Sequence, residues 1–167
     1  LELRDRLQAT LLQSSTVIIF GGHLEELHRA LNFFHLRSAF VEALRRGTTF
    51  ITVSAGSLIL CERIIIFDDF AHGKEFQLFD RGFGMVRNLQ IFPHCDDRIQ
   101  VDDPHNLAYL AHRFGEQVCV GLNEGSFLLL DQMEDTKARS LGQKDGVYVF
   151  DRSGRKKRYD MGEELSL

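Results

Sequence analysis

Short apolar runs alternate with amphipathic stretches along this chain. Leu3 to Leu12 reads as a helix. Thr16-Val17-Ile18-Ile19-Phe20 is a continuous apolar run closed by Gly21-Gly22, which predicts a buried strand with a loop at its C-terminal end. Leu24, Leu27, Leu31 and Phe34 then fall on one helix face. Ser38 is positioned to cap a further helix through Ala39, Phe40, Ala43 and Leu44 that stops at Gly47. Thr48 to Val53 reads as a strand and Ser57 to Arg63 as a helix. Ile64 to Phe67 fits either an extension of that helix or a new strand. Leu89 to Phe92 reads as a strand ending at Pro93-His94. Pro104 to Phe114 is a helix with Pro near its first turn and Gly115 beyond its end. Gln117 to Leu122 and Ser126 to Leu130 read as strands. Val147 to Phe150 and Lys157 to Tyr159 read as a late hairpin.

Alternating strands and helices predict an α/β fold, with a mostly parallel sheet flanked by helices. The length suits a single α/β domain over residues 1–167, and no repeat, linker or low-complexity segment divides it. In such sheets, sites gather at the carboxyl ends of strands. Four groups lie just past predicted strand ends: Gly21-Gly22, Ser54, His94 and Glu124.

Composition narrows the field. The net charge of −4 gives no electrostatic case for nucleic acid. The run Arg152-Ser153-Gly154-Arg155-Lys156-Lys157-Arg158 reads as a solvated hairpin tip around a Ser-Gly turn. Cys61, Cys95 and Cys119 are odd in number and lack C-x-x-C spacing, which points to a reducing, cytoplasmic setting without structural zinc. No apolar run reaches membrane-spanning length. Asp96, Asp97, Asp102, Asp103 and His105 form an acidic cluster with neither EF-hand nor H-E-x-x-H spacing. That cluster, like Asp68-Asp69, reads as solvated loop, and no metal or cofactor is implied. The charged N-terminus, Leu1-Glu2-Leu3-Arg4-Asp5, does not read as a signal peptide and has no initiator Met, so a trimmed or fragmentary chain is expected.

The stretch Thr52-Val53-Ser54-Ala55-Gly56 carries the most chemistry. It sets a serine on a sharp strand-to-helix turn, clear of the sheet and beside helix N–H groups, as in the nucleophile elbow of serine hydrolases. Serine is a weak nucleophile and needs a base, and a histidine within hydrogen-bond reach can take its proton. A carboxylate on the far ring nitrogen then fixes the tautomer and stabilises the imidazolium. Gly22 and Ala55 can each aim a backbone N–H at a developing oxyanion. Losing one such donor typically costs ~3 kcal/mol of transition-state stabilisation. Each residue also has a plainer reading. Ser54 fits a helix N-cap, His94 a hydrogen-bonded structural histidine, Glu124 an exposed turn residue and Cys61 core packing.

Gly21-Gly22, Ser54-Ala55-Gly56, Pro93-His94 and Gly121-Leu122-Asn123-Glu124-Gly125, in this order, resemble the peptidase E and cyanophycinase family of serine peptidases. The resemblance runs from about Thr16 to the C-terminal hairpin. It implies a fold like that of class I glutamine amidotransferases. It makes Ser54 the nucleophile, His94 the base, Glu124 the acid that orients it, and Gly22 and Ala55 the oxyanion hole. The substrate it implies is a small peptide or isopeptide next to an aspartyl residue. Arg98 matches a cyanophycinase-type arginine four residues after the histidine, suited to gripping a substrate carboxylate as a fork. The family usually has Gly where this chain has Thr52, Ala where it has Ser57, Phe where it has Cys95, and, in the cyanophycinase type, Gln where it has Pro93. It also usually has one or two βα units before the Gly-Gly loop, so the domain is expected to be incomplete at its N-terminus.

Two function classes follow. One is a serine hydrolase of this type, acting through an acyl-enzyme. The other is a non-catalytic ligand- or partner-binding protein on the same fold. A glutamine amidotransferase is a weaker third, because that chemistry uses cysteine at the elbow.

Overall fold

The computed structural model describes residues 2–67, 76–131, 137–142 and 146–165; Asp68-Asp69 lies outside them. In chain order, α1 (Glu2–Gln13) leads into β1 (Thr16–Ile19), α2 (Leu24–Phe33) and α3 (Arg37–Arg45). Then come β2 (Thr49–Thr52), the short helix α4 (Ala55–Leu60), β3 (Arg63–Phe67) and β4 (Phe76–Arg81). The strand β5 (Leu89–Pro93) is followed by α5 (Cys95–Arg98), α6 (Pro104–Arg113) and β6 (Val118–Leu122). The chain ends in β7 (Ser126–Leu130), β8 (Ala138–Gly142), β9 (Val147–Phe150), β10 (Lys156–Tyr159) and β11 (Glu164–Leu165).

The α/β class is observed, but the sheet is not mostly parallel. Two strand pairs are parallel, β1 with β2 and β5 with β6. The other described pairs, β3–β4, β6–β9, β9–β10, β7–β8 and β8–β11, are antiparallel. The reason is local. From β6 onward no described helix separates consecutive strands: β7–β8 and β9–β10 pair antiparallel in sequence order, and β6–β9 and β8–β11 pair antiparallel across longer connections. The parallel pairs are the ones that carry the strand ends of interest: β2 ends just before Ser54, and β5 ends just before His94.

One continuous core joins these pieces. Residues from β3, α4, β5, β6 and α6 are buried together, including Ile59, Ile64, Leu89, Leu107 and Val120. Phe92 meets Phe114 edge-on at 5.4 Å and Phe150 at 5.3 Å, tying β5 to the end of α6 and to β9. The inner face of the β1/β2 pair, through Ile19 and Phe50, packs toward this core, whereas Ile18, Phe20, Ile51 and Val53 on the other face are exposed. Among the described residues, no helix is long and apolar enough to cross a membrane.

Several local expectations are refined. Ser38 does not cap α3; the N-cap is Leu36, with no side-chain bond, and Ser38 lies inside the helix. Asp103 is the cap of α6, accepting from the His105 N–H at 2.9 Å, with Pro104 opening the helix. Thus one member of the acidic cluster serves a helix end, and another, Asp102, pairs with Lys156. The residues from Arg63 to Phe67 form a strand, and the helix after the elbow stops at Leu60. The basic run does form the tip and outer strand of a hairpin. Its charges are matched locally: Arg152 with Glu116, Arg155 with Asp151, Arg158 with Asp160.

Gln90 is a strained choice within this core. It is fully buried on β5, its amide nitrogen donates to the neighbouring Ile91 carbonyl at 3.2 Å, and its Oε1 has no partner. A buried acceptor left unpaired costs about 1–3 kcal/mol, and removing the polar group altogether relieves that cost. Gln90→Met, close in volume, should therefore leave the thermal midpoint unchanged or raise it. A melt showing a fall of several degrees would instead mean that the amide holds the strand.

Candidate active site

The strand β2 delivers Ser54 into a turn that ordinary residues avoid. Its backbone sits at φ 51°, ψ −113°, a positive-φ conformation for a residue with a side chain. Such conformations persist only where the surroundings hold them, and they cluster at functional sites. The surroundings here are close backbone approaches. A Cβ on Gly56 would stand 2.5 Å from the Ile19 carbonyl oxygen, and one on Gly21 would stand 2.9 Å from Ser54 Cβ. Only glycine at both positions lets the end of β1 and the Gly-Gly loop lie against the elbow.

The side chain of Ser54 does not serve as a helix cap. Although Ser54 is the N-cap of α4, its hydroxyl makes no capping bond. Its Oγ lies instead 3.0 Å from His94 Nε2. His94 is also in a left-handed conformation, φ 54°, ψ 46°, at the start of α5. Left-handed backbone costs roughly 1–2 kcal/mol for a residue with a Cβ. The two hydrogen-bonded side chains are thus both carried on strained backbone, each just beyond a strand that takes part in a parallel pair.

The donors expected for an oxyanion are available. The N–H groups of Gly22 and Ala55 donate to no protein acceptor among the described residues. Gly22 has φ 129°, and Ala55 opens α4, whose N-terminal dipole favours negative charge.

Glu124 is in a different situation. It is exposed on the turn between β6 and β7, beside Gly125 at φ 79°, and makes neither a hydrogen bond nor an ion pair with His94. The residue of that motif that does reach the histidine loop is Asn123. Its Oδ1 accepts from the Asp96 N–H at 3.0 Å and from the Cys95 thiol at 3.1 Å, anchoring the residues right after His94 to the end of β6. Gly121 makes room for this: a Cβ there would stand 2.9 Å from Cys95 Sγ. Sequence reading did not single out Asn123. Its signal was its position, a polar amide directly after a strand paired with the one carrying His94. Arg98, at the end of α5, is half-buried with its guanidinium carbon 5.1 Å from the centre of the Phe67 ring.

The residues 2–139 match the sequence model of peptidase family S51. The chain belongs to peptidase family S51. Its fold is similar to the crystal structure of a peptidase from an acI-B1 Actinobacterium, with a TM-score of 0.72 and 19% sequence identity. The match covers 98% of this chain and 64% of that one, so this S51 chain spans less than two thirds of that peptidase's length. The likeness at this identity is one of fold. No curated protein matches the chain.

The three thiols of this S51 chain are free and buried. Burial pushes Cys61, Cys95 and Cys119 up to about 12, and for Cys95 the nearby Asp96 carboxylate adds to the rise. The thiolate is the reactive form, and at pH 8 it is scarce in all three. Iodoacetamide at pH 8 should therefore leave the folded chain unmodified and alkylate all three cysteines once it is denatured. Mass spectrometry reads both states, and rapid alkylation of native Cys95 would contradict the buried, protonated assignment.

Proposed function

We propose that this chain acts as a serine hydrolase of the peptidase E and cyanophycinase type, cleaving a small peptide or aspartyl isopeptide through an acyl-enzyme. The observation that carries the reading is the 3.0 Å contact between Ser54 Oγ and His94 Nε2, made by two residues on strained backbone at neighbouring strand ends.

The chemistry proceeds from these groups. With the ring proton on Nδ1, His94 Nε2 accepts the Ser54 proton as Oγ attacks the substrate carbonyl. The negative charge that forms on the carbonyl oxygen is met by the N–H groups of Gly22 and Ala55. His94 then gives the proton to the departing amine, leaving an ester on Ser54. Water, deprotonated by the same histidine, attacks that ester and releases the acid. Glu124 is the proposed partner of His94 Nδ1. Catalytic hydrogen bonds often tighten only in the substrate complex, so this role requires the turn around Gly125 to bring the carboxylate inward when substrate binds. Arg98 is the proposed grip for an aspartyl carboxylate.

A fluorophosphonate probe tests the nucleophile. Wild type should label, and Ser54→Ala should abolish labelling and turnover while the thermal midpoint stays near that of wild type. Equal labelling of both proteins would remove Ser54 from the chemistry. A folded wild type that does not label would favour the binding-only alternative. Glu124→Gln should lower kcat by on the order of 10²- to 10⁴-fold, as expected when the histidine loses the group that fixes its tautomer. Near-normal kcat would limit the machinery to Ser54 and His94.

Specificity is tested separately. Arg98→Met should reduce kcat/KM for aspartyl dipeptides by about ten- to a hundredfold, the worth of a charge-assisted contact, and spare neutral dipeptides. The stack on Phe67 offers a rival, purely structural role. In that case all substrates would slow alike, and the carboxylate grip would be lost from the proposal.

A further inference from the structure

Thr52 and Ser57 stand on either side of the elbow, and their side chains meet across it. Thr52 Oγ1 and Ser57 Oγ are 3.0 Å apart. Thr52 is the last residue of β2, paired in register with Ile19, and Ser57 is a buried residue in the first turn of α4. Between them lies Ser54, with its positive φ. The Ser54 hydroxyl does not cap α4, and the Ala55 N–H has no acceptor among the described residues. The backbone bonds at the turn are Val53 N–H to Ile19 O, Gly56 N–H to Val53 O and Ser57 N–H to Ser54 O, each at 2.9 Å, and Leu58 N–H to Ser54 O at 3.4 Å. The hydroxyl pair is the side-chain link that joins the end of the strand to the start of the helix.

We infer that Thr52 and Ser57 form a clasp that positions the nucleophile, holding Ser54 in its positive-φ conformation with Oγ directed at His94. Neither hydroxyl touches the reacting atoms, so both are positioning residues. The two side chains act as a unit, because each hydroxyl loses its partner when the other is removed, most costly for the buried Ser57. Strained backbone needs such external support, and an error of about 1 Å in the placement of a nucleophile can cost as much as a hundredfold in rate. The inference rests on the hydrolase reading for its catalytic consequence, but the clasp itself is a statement about the backbone.

The test is a double-mutant cycle on the full chain with Thr52→Val, Ser57→Ala and the double variant, plus Thr52→Ser. Two quantities are read for each: the fluorophosphonate labelling rate, and the φ angle of Ser54 from scalar and residual dipolar couplings. Each single variant should lower the labelling rate by on the order of tenfold, with the double variant no worse than either. Ser54 should relax toward negative φ in all three. Thr52→Ser, which keeps the hydroxyl, should restore both the rate and the angle. A merely structural role would lower the melting temperature alone and leave rate and φ unchanged, which would overturn the inference. Additive losses in the cycle would overturn it as well. If wild type fails to label, the hydrolase reading falls by itself, and the Ser54 angle across the same variants still decides whether the clasp exists.

Discussion

The backbone of Ser54 is the constraint around which this molecule is arranged. At φ 51° it holds a side chain where L-residues rarely rest. That conformation survives because the end of β1 comes close enough that Gly56 faces the Ile19 carbonyl directly and Gly21 lies against Ser54 itself. The consequences spread outward. The parallel pairing of β1 and β2 fixes how far the elbow projects. The burial of every residue of α4 fixes where its first turn points. The Gly21-Gly22 loop is brought beside the serine by the same pairing that orders the strands.

A second strained residue completes the geometry from another element. His94 emerges from β5, whose core contacts run through Phe92 to α6 and β9. Its loop is then tied down by Asn123 from β6, the parallel neighbour of β5. The imidazole thus owes its position to two strands and one amide. The packing of Cys95 against Gly121 explains why a small, uncharged thiol suits the position after the histidine: it fills the space that a strand glycine leaves and donates its S–H to the Asn123 oxygen.

Much of this was legible in the sequence because it is written in short-range patterns. The strand of β1 ends at a Gly-Gly pair, the β2 strand ends at a small serine motif, and β5 ends at Pro93-His94. Each boundary was readable within a residue or so, and the positions just past two of these strand ends, Ser54 and His94, are the ones that meet. What could not be read was long-range. The β9–β10 hairpin was legible from its turn, but the orientation of β6 to β8, and the pairing of β9 with β6, depend on which strand pairs with which, and short apolar runs fit either direction. The strand β4 was missed because Phe76 to Arg81 mixes polar and apolar residues at largely exposed positions. Ser38 looked like a cap but was absorbed into α3, since Leu36 already begins the turn. Asn123 escaped notice because its role is set by a contact across the sheet to Asp96, which no local pattern encodes.

The contrast between Ser54 and Glu124 shows what kind of restraint a site of this type has. Ser54 and His94 are carried on positive-φ backbone packed by glycine contacts and strand pairing, with the Thr52–Ser57 hydroxyl pair added across the elbow. Glu124 hangs from a two-strand turn, exposed, with a glycine after it, and no bond directs its carboxylate. A geometry imposed by backbone is present before any substrate arrives, while a side chain on an open turn is recruited only by an interaction strong enough to order it. An imidazolium formed during attack is such an interaction, since its charge appears at the moment a carboxylate is needed. Under the proposed mechanism, Glu124 need not touch His94 in the resting protein. The energetic demand instead falls on the elbow, which must keep Ser54 strained at all times without help from substrate.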